Sequence, residues 1–224
     1  MINGTRLKVC GITSLVDADA ADAVGADYLG FIFHPKSPRR VSCPQYKAMQ
    51  ERLPPRKRVA VSVEPTAAEL GKQVEHDFDF FQIHFNPRTP LDVVESWAKT
   101  VDPSRLWLAP RLPDGVDLYP ELLPLAETFL LDTFHPEKMG GTGVTGDWAK
   151  FKRYRESHPG KRWILSGGLN PENIAEAVTS TGAKCIDVNS GVEQAPGIKS
   201  PSKLKAFVLA LHNATKQDNP SYRG

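Results

Sequence analysis

The sequence predicts an α/β fold, a single-domain (β/α)8 barrel, on three observations. Short β-rich apolar runs alternate with segments of helical spacing, eight such runs fit within 224 residues, and polar residues gather where the runs end. The runs lie at 7–9, 28–33, 58–63, 80–83, 106–109, 128–131, 163–165 and 185–188. Strand–helix alternation implies parallel neighbours joined by right-handed crossovers, and eight units in this length suit a closed barrel better than an open sheet.

Helical spacing is clearest at 15–24, 67–75, 91–99, 171–179 and 202–211, where apolar positions recur three or four residues apart. Asn170 before Pro171 reads as a capping residue ahead of a proline at the first helical position, and Ser200 or Ser202 caps the last helix. The segment 112–126 carries three prolines, so only a turn or two of helix is expected there. The barrel is expected to occupy 1–215, with 216–224 a polar, frayed tail.

Composition narrows the function. Formal net charge is +2 and the basic residues are scattered, which argues against a nucleic-acid partner or a polybasic membrane anchor. The N-terminus lacks a signal-peptide apolar core, and no segment reaches the roughly 18 apolar residues of a membrane span. A cytoplasmic protein with a small-molecule partner is expected, as monomer or homodimer. Cys10, Cys43 and Cys185 are far apart and odd in number, so free thiols are expected rather than disulfides or a metal site.

In such a barrel, chemistry sits at the C-terminal strand ends. Cys10, His34, His84, Asp132, Gly167 and Asn189 each fall at or just after a predicted strand end. Cys10, directly after the first strand and before Gly11, is a candidate general base, although for an isolated cysteine at a strand end the reading as a small buried apolar residue is favoured, and it also suits Cys43 and Cys185. Asp132 ends an apolar strand ahead of Thr133 and a glycine-rich loop. It reads either as a general acid with a raised pKa or as a loop carboxylate.

Gly167-Gly168 after the seventh strand and Ser190-Gly191 after the eighth stand where barrels of this kind build phosphate sites from backbone N–H groups. Arg39, in the loop after strand two, can form a paired contact with a carboxylate, with Lys36 and Arg40 as rivals. Gln82 and His84 on strand four are candidates to face the pocket, or else polar groups satisfied near the core.

Taken in order, KVCGIT, GADYLGFIFHPKSPR, LLDT with GGTG and DW, LSGGLNPENI, and DVNSGVE with Pro196-Gly197 resemble phosphoribosylanthranilate isomerase over nearly the whole chain. The resemblance implies a TIM barrel with no cofactor or metal that carries out an Amadori rearrangement of a phosphoribosyl substrate in tryptophan biosynthesis. It implies Cys10 as general base, Asp132 as general acid, Arg39 at the anthranilate carboxylate and Asp187 near the ribose hydroxyls. The two glycine pairs would hold the phosphate.

Four positions depart from the family pattern. Phe85 replaces a glycine after Gln82-Ile83-His84, Leu108 stands for a common strand-five lysine, Val144 for a lysine after GGTG, and Asn189 for a serine. All four are expected at the pocket wall or the mobile loop. Two rivals follow: an isomerase for the aminoimidazole sugar phosphate of histidine biosynthesis, against which Cys10 argues because those enzymes pair aspartates, and a catalytically silent phosphate-binding barrel acting as a scaffold, which Phe85 would favour if it filled the pocket.

Overall fold

The computed structural model describes residues 1–113, 115–132 and 147–216. Eight parallel strands close in sequence order into one barrel: β1 (Arg6–Cys10), β2 (Tyr28–Ile32), β3 (Lys57–Val63), β4 (Phe80–Phe85), β5 (Leu106–Pro110), β6 (Thr128–Asp132), β7 (Arg162–Ser166) and β8 (Cys185–Val188). All eight predicted runs are strands. Most extend one or two residues beyond the apolar run; β2 stops at Ile32, and Cys10 is the last residue of β1 rather than the residue after it.

Strand alternation divides the apolar residues between two clusters. Cys10, Tyr28, Val59, Val61, Trp107, Leu130 and Ile164 pack inside the barrel. Their neighbours Val9, Leu29, Ala60, Leu108, Phe129 and Leu165 pack outward beneath the helices. The wall is therefore buried on both faces, as a parallel sheet requires.

The helices are α1 (Leu15–Ala23), α2 (Cys43–Met49), α3 (Ala67–Val74), α4 (Leu91–Thr100), α5 (Trp148–Ser157), α6 (Ile174–Thr181) and α7 (Pro201–Thr215). Two were not read from the periodicity. α2 is short but starts at a capping box, Ser42 with Gln45. α5 is dominated by charged residues and buries only Trp148, Phe151 and Tyr154. Segment 112–126 contains a 3-10 helix at Pro120–Leu125, in keeping with its prolines. Ser200 caps α7, its hydroxyl accepting from Lys203 N–H.

One boundary differs from expectation. α6 begins at Ile174, not at Pro171, because Asn170 and Asn173 cap each other: Asn170 Oδ1 accepts from the N–H of Glu172 and Asn173, and Asn173 Oδ1 accepts from Asn170 N–H. Pro171 sits in the turn this creates. A short antiparallel pair, β9 (Glu193–Ala195) and β10 (Ile198–Lys199), follows β8 and leads to α7. Among the described residues no helix is long and apolar enough to cross a membrane.

Candidate active site

A cavity of about 460 Å³ opens at the C-terminal ends of the strands. Cys10, Gln82, Asp132 and Asp187 reach it from β1, β4, β6 and β8, joined by His84 at the end of β4. Arg39, Gly167, Gly168 and Ser190 reach it from the loops after β2, β7 and β8. Gly191 is the one predicted site residue that does not line it. Thr133, the GGTG loop and Val144 lie outside the described residues.

Cys10 is buried, 4% exposed, whereas Cys43 and Cys185 are only half-buried; the small-apolar reading thus fits those two less well than expected. Burial raises the Cys10 thiol above its usual pKa, and the Lys8 ammonium works against that rise. Asp132 is exposed at the mouth on β6, with β7 and β8 standing between it and the β1 of Cys10.

Lys8 is fully buried and donates to Asp187 Oδ2 at 2.9 Å. Burial lowers its pKa, but Asp187 and Cys10 outweigh that and hold the ammonium above its ordinary value. Asp187 is itself raised by burial against the pull of Lys8, and among the described residues its Oδ1 has no hydrogen-bond partner.

Arg39 lines the cavity; Lys36 and Arg40 do not, and both are exposed. The Arg39 fork is already engaged by Glu193, through Nε and Nη2. Glu193 also accepts from Lys199 Nζ at 2.9 Å, so two cations hold this carboxylate below its ordinary pKa although burial would raise it. Lys199 in turn donates to Asn189 Oδ1 at 2.9 Å, tying the residue that stands where the family has serine into the network.

Gln82 and His84 face inward together, Gln82 Nε2 lying 2.7 Å from His84 Nε2. Burial, with Lys8 and Arg111 adding repulsion, pushes the imidazole down to about 3, so His84 is neutral at physiological pH. Gln82 Oε1 is buried with no hydrogen-bond partner among the described residues.

The glycine turns differ in what they require. Gly167 and Gly168 adopt φ of 101° and 61°, left-handed values that turn the chain across the cavity floor. Gly191 has ordinary φ but no room: a Cβ there would lie 2.0 Å from the Leu169 carbonyl oxygen. Its place is to let the two loops touch, not to line the cavity.

Two expectations about departures from the family are corrected. Phe85 is buried, 1% exposed, and faces outward, its ring 5.6 Å from Trp97 of α4. Leu108 also faces outward, between the inward Trp107 and Ala109. Strand parity decides both: in β4 the inward residues are Gln82 and His84, so the next residue must leave the barrel. Phe85 does not fill the pocket, which removes the feature that favoured a silent barrel.

Sequence reasoning missed Lys8, Arg111, Glu193 and Lys199. Lys8 had a signal, because it stands two residues before Cys10 and so shares its strand face. Glu193 and Lys199 had none, since their pairing depends on how β9 and β10 fold back. Among the described residues no group of three or more His, Cys, Asp or Glu side chains is placed to hold a metal ion.

The closed parallel barrel with its polar mouth at the strand C-termini is the architecture of the TIM-barrel enzymes. Comparison with known proteins then gives the family. The family model for N-(5'-phosphoribosyl)anthranilate (PRA) isomerase matches residues 7–210. The chain belongs to this family.

A relative named N-(5'-phosphoribosyl)anthranilate isomerase, from Pseudomonas putida, is 36% identical over 218 residues, 95% of this chain and 100% of the relative. The crystal structure of TrpF from Jonesia denitrificans superposes with a TM-score of 0.78 at 31% identity, covering 95% of this chain and 98% of that one. A phosphoribosyl anthranilate isomerase in complex with reduced 1-(o-carboxyphenylamino)-1-deoxyribulose 5-phosphate matches at 0.70 and 30%, covering 93% and 99%.

Proposed function

We propose that the chain converts N-(5'-phosphoribosyl)anthranilate into 1-(2-carboxyphenylamino)-1-deoxyribulose 5-phosphate, an aldose-to-ketose isomerisation in L-tryptophan biosynthesis carried out in the cytoplasm. The observation that carries this reading is the gathering of Cys10, Asp132 and Arg39 with the Gly167-Gly168 turn and Ser190 around one cavity, in a chain of the PRA isomerase family. Its volume of about 460 Å³ suits a ligand of this size.

In the mechanism this supports, the phosphate rests on backbone N–H groups of the turns after β7 and β8. The anthranilate carboxylate meets the edge of Arg39 that Glu193 leaves free, and Asp187 takes the ribose hydroxyls through Oδ1. With both ends fixed, the reacting atoms are held between the two proton-transfer groups. Asp132 protonates the furanose ring oxygen, the C1–O bond breaks, and the nitrogen lone pair forms a Schiff base. Cys10, as thiolate, removes the C2 proton; its electron pair flows to C1 and on to nitrogen, giving an enolamine. Tautomerisation to the C2 ketone completes the isomerisation. The cycle closes when the proton Cys10 took from C2 passes to solvent and Asp132 regains one, so no net proton is consumed.

The test is loss of anthranilate-type fluorescence from freshly prepared N-(5'-phosphoribosyl)anthranilate, followed above the spontaneous rate. Enzyme-dependent loss that disappears in Cys10→Ser supports both reaction and base; folded protein that leaves the rate unchanged overturns the reading.

A further inference from the structure

Lys8 and Cys10 enter the barrel interior from the same strand, two residues apart. Gly30 of β2 lies beside both: a Cβ at Gly30 would stand 3.0 Å from Lys8 Nζ and 3.0 Å from Cys10 Sγ. Gly30 brings no side chain between them, so ammonium and thiol both border one point inside the barrel and lie at most about 6 Å apart. A lysine with no exposed surface is retained in a protein interior only when its charge is paired, and Asp187 pairs it at 2.9 Å.

We propose that Lys8 is a positioning residue for Cys10, its ammonium stabilising the thiolate form while Asp187 fixes the ammonium in place. The proposal rests on the reading of Cys10 as the base. A buried thiol has little tendency to ionise, because burial disfavours the charged form, and a base at this position needs a fixed cation. Among the described residues Lys8, on the same strand face and beside the same Gly30, is the cation that favours the thiolate ahead of Lys199.

The other charged groups around Cys10 act differently. Asp187, from β8, opposes ionisation, while Lys199, from β10, assists it more weakly than Lys8. Arg39, in the loop after β2, is turned toward Glu193. Gly30 of β2 brings no charge, and His84 across the cavity is neutral. In the cycle the resting thiol releases its proton to solvent, the thiolate takes the C2 proton, and Lys8 keeps its own proton throughout.

The experiment measures alkylation of Cys10 by iodoacetamide across pH, read by mass on the Cys10 peptide so that Cys43 and Cys185 do not contribute. Removing Lys8 alone would strand a buried carboxylate that then takes up a proton, so the charge is removed against a neutral background. The rising limb of Lys8→Met/Asp187→Asn is expected about one pH unit or more above that of Asp187→Asn alone, about tenfold slower at a fixed pH on the limb. Superimposable limbs overturn the proposal. Lys8→Arg, which keeps the charge, is expected to follow the parent protein.

Should the double variant not fold, the amide pair Lys8→Gln/Asp187→Asn is measured against Asp187→Asn in its place, with the same displacement expected and superimposable limbs again overturning the proposal. None of these readouts requires turnover. A parent protein that fails to isomerise the substrate would sink the functional reading and leave the alkylation result interpretable by itself.

Discussion

The Arg39 guanidinium grips the Glu193 carboxylate through three contacts, Nε to Oε1 at 2.9 Å, Nε to Oε2 at 3.0 Å and Nη2 to Oε2 at 2.7 Å. A loop arginine is thereby fixed by the hairpin that follows β8, on the far side of β1. The free edge of the guanidinium is aimed before any ligand arrives, which spares the ordering cost of a long side chain. Glu193→Ala should release it. We expect KM to rise by about tenfold with kcat changed far less, and Arg39→Ala to raise KM further. Steady-state kinetics on the two variants check this; an unchanged KM in Arg39→Ala removes that residue from substrate binding.

Cys10→Ser and Asp132→Asn keep size and shape while removing the proposed proton-transfer groups. Each is expected to lower kcat by about 10²–10⁴-fold with the fold intact by circular dichroism. Near-parental turnover in either purified variant would take that residue out of the mechanism.

His84 supplies a pH prediction. Its folded-state pKa, about 3, lies below the unfolded value near ~6.5. A depressed value means that the unfolded chain binds the proton more readily. Stability from this group is therefore present above about pH 6.5 and is lost as pH falls toward 3. Urea midpoints of the parent protein and His84→Asn, measured at pH 7.5 and 4.5, should show a larger acid-induced drop in the parent. Equal drops would refute the assignment.

Phe85 separates packing from chemistry. Phe85→Ala empties space between β4 and α4, beside Trp97, and should cost about 3–5 kcal/mol of stability. Because the ring faces away from the cavity, kcat/KM at a temperature where the variant stays folded should stay within about threefold of the parent, on the order of half a kcal/mol. A large loss of kcat/KM with little loss of stability would mean that the ring acts on the pocket.

The barrel was legible because its signal is repeated: eight apolar runs each had to be strands for the alternation to hold. α5 was hidden by its own surface, since a helix that buries only Trp148, Phe151 and Tyr154 has charged residues nearly everywhere else. At the rim, the placement of Cys10, Asp132, Gly167, Gly168 and Ser190 around one cavity could be anticipated because strand ends are visible in sequence, whereas Gly191 stands behind it. Lys8 was not singled out, although counting back two from Cys10 puts it on the same strand face. The same counting from His84 would have turned Phe85 outward. Glu193 and Lys199 required the β9–β10 hairpin, whose register no local pattern specifies.

Gly191 has a consequence beyond its own position. Because no side chain can stand between it and the Leu169 carbonyl, the turns after β7 and β8 are in backbone contact and behave as one mechanical part. Neither can lengthen or re-aim alone. A lineage drifting toward a larger or differently placed anion would have to rebuild both turns together, so this corner of the barrel should change in concert.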